Sequence, residues 1–277
     1  MISAKSPSKR RFRWMSELGL FLRTLTERIK PELLLERVVD GQPDDWQRKL
    51  MNSTADIICV LASRRIGKST TIGVMAGQEL SKPEHQVIIL SKTLAQSQLL
   101  FAKIAYTWEK MELPIQQKRR TMTELHLNNG SSVVCIPAGQ DGGGARGYGV
   151  KNGLLLFDEA CFVPDDVYGS TLSIAEDNAK TILISTPGGK SGKFYQMWTD
   201  REMYPEVERI RACSLDLPRM ANLVARQRKV LSKHEFEVEH GLSFMGGGHQ
   251  FFDSRAIEAA FTSTPELKLG DLYAGLG

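Results

Sequence analysis

VLASRRIGKST (residues 60–70) runs from apolar residues through a short polar turn into Gly-Lys-Ser, and LISTPGGKSGK (residues 183–193) does the same. Which of them, if either, closes on a nucleotide's phosphates decides the fold. A phosphate-binding loop needs a strand, a tight turn whose amides point inward, and a helix whose N-terminus faces the anion. The usual pattern is G-x-x-x-x-G-K-[ST], with the lysine on the β/γ-phosphates and the hydroxyl on Mg2+. In the first stretch the position five before Gly67 is Ala62, the smallest stand-in for glycine, and Ser69-Thr70-Thr71 opens a helix. In the second, the corresponding residue is Ile184, where a β-branched side chain cannot make the opening turn, and Pro187 occupies the loop. The first stretch is the phosphate loop. Its expected ATP-binding residues are Ala62, Ser63, Arg64, Arg65, Ile66, Gly67, Lys68, Ser69 and Thr70.

Working outward, short β-branched runs alternate with longer helical patterns. The expected strands are Ile57–Ala62, Gln86–Ser91, Leu154–Asp158, Lys180–Thr186 and Val207–Ala212. Between them lie helix-length stretches at Lys68–Leu80, Leu94–Met111, Asp165–Ala175 and Gly192–Arg201. Apolar strands separated by helices predict an α/β fold with a mainly parallel central sheet covered on both faces, here a P-loop NTPase. One insertion breaks the rhythm: Thr123–Leu127 and Ser132–Ile136 alternate around Asn128-Asn129-Gly130, a hairpin signal. Lys118-Arg119-Arg120 just before it reads as a solvated basic turn, with a contact to DNA as the less common alternative. Residues 16–39 read as an amphipathic helix interrupted at Pro31, and after residue 214 the pattern becomes helical and charged. The expected division is a basic arm and helix at 1–40, a nucleotide-binding core at 41–214, a small helical lid or linker at 215–262, and the start of a further domain at 263–277.

Composition sets the outer limits. The 277 residues are 42% hydrophobic and 25% charged, enough for a large core. No apolar run reaches the roughly 18 residues that a membrane span requires, and the basic N-terminus lacks the apolar segment of a signal peptide. Cys59, Cys135, Cys161 and Cys213 fit neither a zinc nor a disulfide spacing and read as free thiols. The five histidines show no metal-ligand spacing with any cysteine. Residues 1–30 carry eight Lys/Arg against Glu17 and Glu27, an excess of +6 in a chain of net charge +4. That arm suits nucleic acid, an anionic partner or plain solubility.

Further residues join the loop. Leu154–Phe157 is an apolar strand ending in Asp158 and Glu159, ninety residues after Lys68. The first carboxylate can hold Mg2+ and the second can orient and deprotonate an attacking water. Ser185 and Thr186 end another strand, where hydroxyls can sense a γ-phosphate. Upstream, Pro43-Asp44-Asp45-Trp46-Gln47 offers a glutamine amide for an adenine edge, with the Trp46 ring beside it or, as is commoner for a Trp at a helix start, buried in the core. Gly139–Gly149 packs six glycines around Arg146. A flexible loop with one arginine suits either an arginine finger on the transferring phosphoryl group or a contact to DNA.

The order PDDWQ, SRRIGKST, the NNGS hairpin, GGGARG, LLLFDEA and ISTPGGKSGKFYQMW resembles the large terminase subunits of tailed bacteriophages over roughly residues 40–260. The resemblance implies an ATP-driven motor that moves double-stranded DNA into a procapsid, working in the host cytoplasm as a homo-oligomeric ring at a portal, alongside a small terminase subunit. It implies Lys68 and Ser69 on phosphates and Mg2+, Asp158 on the metal, Glu159 as base, Gln47 at adenine, Ser185-Thr186 as coupling motif, and Arg146 as a finger acting from a neighbour. Family members continue into an RNase H-like nuclease, and Tyr273–Leu276 resembles its first strand. Gly277 stands where the first aspartate is expected, so no DNA cleavage is expected of this chain. A helicase-like translocase shares the loop and the acidic pair but needs a second sheet domain. A nucleotide-binding assembly subunit without turnover would not need Glu159.

Overall fold

The computed structural model describes residues 30–39, 41–112, 115–137 and 148–246. Its frame is a sheet of eight strands: β1 (Ile57–Ala62), β2 (Gln86–Ser91), β3 (Gln117–Arg120), β4 (Glu124–Leu127), β5 (Ser132–Pro137), β6 (Val150–Asp158), β7 (Ala175–Ser185) and β8 (Glu208–Ala212). They lie in the order β3-β4-β5-β2-β6-β7-β1-β8. Every pairing from β5 to β8 is parallel, and only β3–β4 and β4–β5 are antiparallel. The chain therefore leaves β1, crosses to the far side at β2 and returns to β6 and β7. Strand β7 is thereby inserted between the phosphate-loop strand and the strand that carries the acids.

Apolar strand residues alternate between two faces, and each face has its own core. On one side Val60, Ile89, Leu156 and Ile184 pack under α1 (Pro31–Val39), α2 (Asp45–Asn52), α3 (Lys68–Leu80) and α4 (Leu94–Met111). On the other, Leu61, Ile88, Phe157 and Leu183 pack under α5 (Asp165–Leu172) and α6 (Lys193–Thr199). Two short helices, α7 (Ala221–Gln227) and α8 (Lys233–Glu239), follow the sheet. All four cysteines are free. Among the described residues no helix is long and apolar enough to cross a membrane.

Some boundaries differ from the sequence reading. Strands β6 and β7 begin at Val150 and Ala175, well before the expected Leu154 and Lys180, because they pair in parallel from Val150↔Ala175 onward. Helix α5 stops at Leu172 for the same reason: Ala175 already belongs to the sheet. The basic turn expected at Lys118-Arg119-Arg120 is instead the edge strand β3. Its four residues are all exposed, so no apolar alternation marks it, and it is defined by antiparallel pairing with β4. The hairpin lies where Asn128-Asn129-Gly130 placed it, with Gly130 at φ 86°. The basic arm before residue 30, Arg146 and most of its glycine-rich loop, and residues 263–277 lie outside the described residues.

Gly153 offers a test of the sheet register. It pairs with Gln86 at φ +125°, and a Cβ there would come within 2.0 Å of the Gln86 carbonyl oxygen. Gly153→Ala is expected to destabilise the fold by about 3 kcal/mol or more. That corresponds to a Tm lower by roughly 6–12 °C. Thermal unfolding followed by circular dichroism checks it, and an unchanged Tm contradicts the pairing.

Candidate nucleotide-binding site

All the elements of the site end at one edge of the sheet. Leu61 on β1 pairs with Ser185 on β7, and Ile184 pairs with Asp158 on β6, so the loop, the hydroxyls and the acids leave adjacent strands at the same level. This is the carboxyl edge of a parallel sheet, where α/β proteins bind ligands.

The loop needs two backbone conformations that L-residues seldom adopt. Arg65 has φ 62°, and Gly67, the N-cap of α3, has φ 97°. Glycine takes that angle without strain, whereas most side chains do not. Between them the Ile66 side chain is fully buried in the core and anchors the turn. Lys68 opens α3 and folds back over the loop, its Nζ 3.5 Å from the Ser63 carbonyl and 3.5 Å from Glu159 Oε1.

Glu159 is held from three sides. Its Oε2 accepts hydrogen bonds from the Thr186 amide (3.0 Å), the Thr186 hydroxyl (2.9 Å) and the Ser185 hydroxyl (3.3 Å). The residue sits at φ 49°, starting a 3-10 turn over Ala160–Phe162. That turn is fixed by Tyr168, which stacks on Phe157 at 5.0 Å and donates its hydroxyl to the Ala160 carbonyl at 2.6 Å. The Cys161 amide donates to Ser185 Oγ at 3.1 Å, closing the link between the acidic turn and the end of β7.

Electrostatics separates the two acids. Burial and the neighbouring Glu159 charge push the Asp158 carboxyl up to about 6, against the pull of Lys68. Burial also acts to raise Glu159, but the Lys68 charge and the donors from Thr186 and Ser185 overcome it and hold Glu159 below its usual value. Burial lowers Lys68 despite both carboxylates. One carboxylate is thus satisfied by protein donors and the Lys68 charge, and the other is the harder of the two to ionise. Ser69 lies in the first turn of α3 and Asp158 ends β6, and one hydroxyl with one carboxylate suits Mg2+, which keeps waters and takes phosphate oxygens for its remaining positions. Among the described residues no cluster of three or more His, Cys, Asp or Glu could hold a metal without such help.

The remaining expected residues are placed as follows. Gln47 is buried; its Oε1 accepts from the Asp44 amide (2.8 Å) and its Nε2 donates to Thr71 Oγ1 (2.7 Å), so it braces α2 and the loop helix. Trp46 lies in the core beneath the loop, its indole donating to Asp44 at 3.2 Å. Arg64 is exposed and pairs with Glu239 on α8 at 3.0 Å, turned toward the helices that follow the sheet. Ser63 is fully buried, donating to the His240 carbonyl and accepting from the Ser214 amide. The second Gly-Lys-Ser makes no cradle: the Lys193 amide at the start of α6 is already bonded to the Asp165 carboxylate at 2.7 Å. Tyr168, Arg219 and His240 were missed by sequence reasoning, and no local pattern marks them.

A parallel sheet with a glycine-capped strand–loop–helix and a lysine that reaches the strand-end acid across the intervening β7 defines the P-loop NTPase fold. The family described as "Terminase large subunit, T4likevirus-type, N-terminal" matches residues 59–259, and the chain belongs to that large-terminase family. Among solved structures the chain is similar to the large terminase ATPase domain of Thermus phage P74-26, with 22% identity, TM-score 0.63, and coverage of 76% of this chain and 97% of that one. The large terminase of a second thermophilic bacteriophage, solved in complex with ADP, gives 14% identity and TM-score 0.62 over 73% of this chain and 54% of that one. The HK97 bacteriophage large terminase gives 13% identity and TM-score 0.59 over 78% and 54%. At these identities the likeness concerns the fold, and the chain spans about half the length of the latter two proteins. Comparison with curated protein sequences finds no match.

Asp158 fixes a direction for stability against pH. The folded state binds its proton more tightly than the unfolded chain, so ionisation costs stability as pH rises from about 3.8 toward 6, and the cost persists above. For a shift from 3.8 to about 6 it is on the order of 3 kcal/mol at pH 8. Asp158→Asn is expected to raise the Tm of the nucleotide-free protein at pH 8, the gain shrinking to roughly half at pH 5. A lower Tm at pH 8 contradicts the assignment.

Proposed function

We propose that this chain is the ATP-hydrolysing part of a DNA-packaging large terminase, with residues 41–214 as the motor core and the helices of 215–262 as a lid. The observation that carries the reading is the contact between Lys68 on the loop and Glu159 at the end of β6, reached across β7. It brings an anion-binding lysine and a candidate base to one point. The complexes of the thermophilic-phage large terminase with ADP and with ATP-gamma-S support ATP as the ligand here.

In the proposed mechanism the Gly67 and Lys68 amides and the Lys68 ammonium bind the triphosphate. Bound Mg2+, held by Ser69 and Asp158, would supply charge neutralisation on the phosphates. Lys68 exchanges its contact with Glu159 Oε1 for a phosphate oxygen, which frees that carboxylate oxygen to accept a proton from the attacking water. The water oxygen bonds to the γ-phosphorus, and the bond to the ADP oxygen breaks. Ser185 and Thr186, which hold the other oxygen of Glu159, transmit the event to β7. Gln47 braces the loop helix and retains one free N–H for an adenine edge. The partners in this reading are double-stranded DNA gripped by its phosphates without sequence preference, a small terminase subunit and a portal, in the host cytoplasm.

Glu159→Gln is expected to lower ATP turnover by roughly 10²–10⁴-fold, while nucleotide binding measured by calorimetry persists. Turnover at the wild-type rate overturns the base assignment. Arg146 is proposed as a finger acting on a neighbouring subunit, so a lone subunit hydrolyses ATP slowly; such a finger contributes about 10³–10⁵ in rate. Mixing Arg146→Ala with Glu159→Gln protein on DNA is expected to restore part of the activity. No recovery at any mixing ratio excludes action across subunits.

A further inference from the structure

A ring of polar contacts runs around the outside of the phosphate loop, and none of its members belongs to the loop's motif. Arg219, in the 3-10 turn Pro218–Met220 after β8, donates from Nη2 to the Ile66 carbonyl at 2.7 Å. The same guanidinium grips the Asp44 carboxylate, with Nε 3.0 Å from Oδ1 and 3.2 Å from Oδ2. Asp44 is the N-cap of α2, where it and Gln47 form a capping box. Gln47 donates to Thr71 Oγ1, and Thr71 Oγ1 donates to the Gly67 carbonyl at 3.1 Å. The Ile66 carbonyl is thus tethered from outside by Arg219, while the Gly67 carbonyl takes the helical bond from the Thr71 amide at 3.0 Å and is braced further through the Thr71 hydroxyl and Gln47; the two routes meet at Asp44.

The direction of those carbonyls decides where the amides point. In a planar trans peptide the C=O and the following N–H are antiparallel. Drawing the Ile66 carbonyl toward Arg219 aims the Gly67 N–H away from Arg219, toward the concave side of the loop. Holding the Gly67 carbonyl on Thr71 does the same for the Lys68 N–H. The Ile66 peptide lies between residues at φ 62° and 97°, angles that persist where surrounding contacts hold them, and Arg219 is one such contact.

We propose that Arg219 is a positioning residue that sets nucleotide affinity by holding the phosphate loop's amides toward the anion before it arrives. The proposal rests on the nucleotide-binding reading above but adds a residue 153 positions from Ile66 in sequence. Arg219 touches none of the reacting groups, so its effect belongs in binding and not in the chemical step. A planar guanidinium spans carboxylate and carbonyl together, and an ammonium at the end of a lysine stem does not.

The test measures the affinity of the full chain for ADP and ATP-gamma-S by calorimetry, with KM and kcat for ATP, in wild type, Arg219→Ala, Arg219→Lys, Asp44→Ala and the Asp44→Ala/Arg219→Ala double variant. Arg211→Ala, which removes an exposed ion pair with Asp216 elsewhere on this segment, is the control. Arg219→Ala is expected to weaken binding and raise KM by roughly 10- to 100-fold, the loss of charge-assisted hydrogen bonds, with kcat within about threefold of wild type. Arg219→Lys is expected to fall between, Arg211→Ala to match wild type, and the double variant to be no worse than the weaker single. Wild-type affinity in Arg219→Ala, or a fall in kcat with KM unchanged, overturns the proposal. If Arg219→Ala does not fold, Arg219→Lys decides by the same measurements: wild-type affinity overturns, weakened affinity supports. Wild-type protein that binds no nucleotide removes the functional reading itself and is distinguished by that result.

Discussion

A buried ammonium with two carboxylates beside it is tolerable only while charges of opposite sign stay matched, and Lys68 is held in that state by Glu159 and Asp158. Everything at the sheet edge follows from the match. Glu159 takes the lysine and three protein donors and settles as an ionised group, whereas burial and the Glu159 charge make Asp158 hold its proton up to about 6. In the proposed function a triphosphate would claim the lysine, and a divalent cation would add positive charge beside Asp158. The energetic cost of the arrangement sits on the groups that such a ligand would relieve.

The backbone shows the same economy of position. Of the described non-glycine residues with positive φ, Arg65 lies in the loop and Glu159 at the acidic turn, and Gly67 adds a third such angle beside Arg65. Each is held by groups brought from elsewhere: Tyr168 fixes the turn after Glu159, Arg219 and Thr71 fix the peptides around Gly67, and Ser63 is bonded to the segment around His240. Strained conformations persist where surrounding contacts over-determine them, and here the contacts come from the elements that flank the nucleotide edge. The helices after β8 reach the loop through three such contacts, Arg219–Ile66, Arg64–Glu239 and Ser63–His240.

How much of this could be read from the chain depended on the range of the interaction. Strands β1 and β2 and helices α3 and α4 were legible to the residue, because buried parallel strands are apolar throughout and their helices carry clear start signals. That Lys68, Asp158, Glu159, Ser185 and Thr186 lie together at one sheet edge was legible because each sits at the end of such a strand or the start of such a helix. Strand β3 was not, since four exposed polar residues show no period and only the partner strand defines them. The first residues of β6 and β7 hid for a similar reason: Lys151, Asn152, Glu176 and Asn178 are polar and interrupt the apolar run that marks the rest of each strand. Arg219 and Tyr168 act through contacts set by the fold and not by spacing, and nothing beside them in sequence points to their partners.

The repeated Gly-Lys-Ser shows what the tripeptide alone does not determine. Both copies follow a strand of the same sheet, on the neighbours β1 and β7, and both lead into a helix. In the second, Asp165 places a carboxylate oxygen on the first helical amide at 2.7 Å, so the positive end of α6 is neutralised within the chain. In the first, no acidic side chain caps α3; its N-cap is Gly67, which makes no side-chain hydrogen bond, and the nearest acids are turned to Lys68 across the edge. The helix start proposed to take the anion is the one that no acidic side chain caps. That distinction lives in tertiary structure, and in sequence it surfaced only indirectly, as the contrast between Ala62 and Ile184 at the point where the strand must let go.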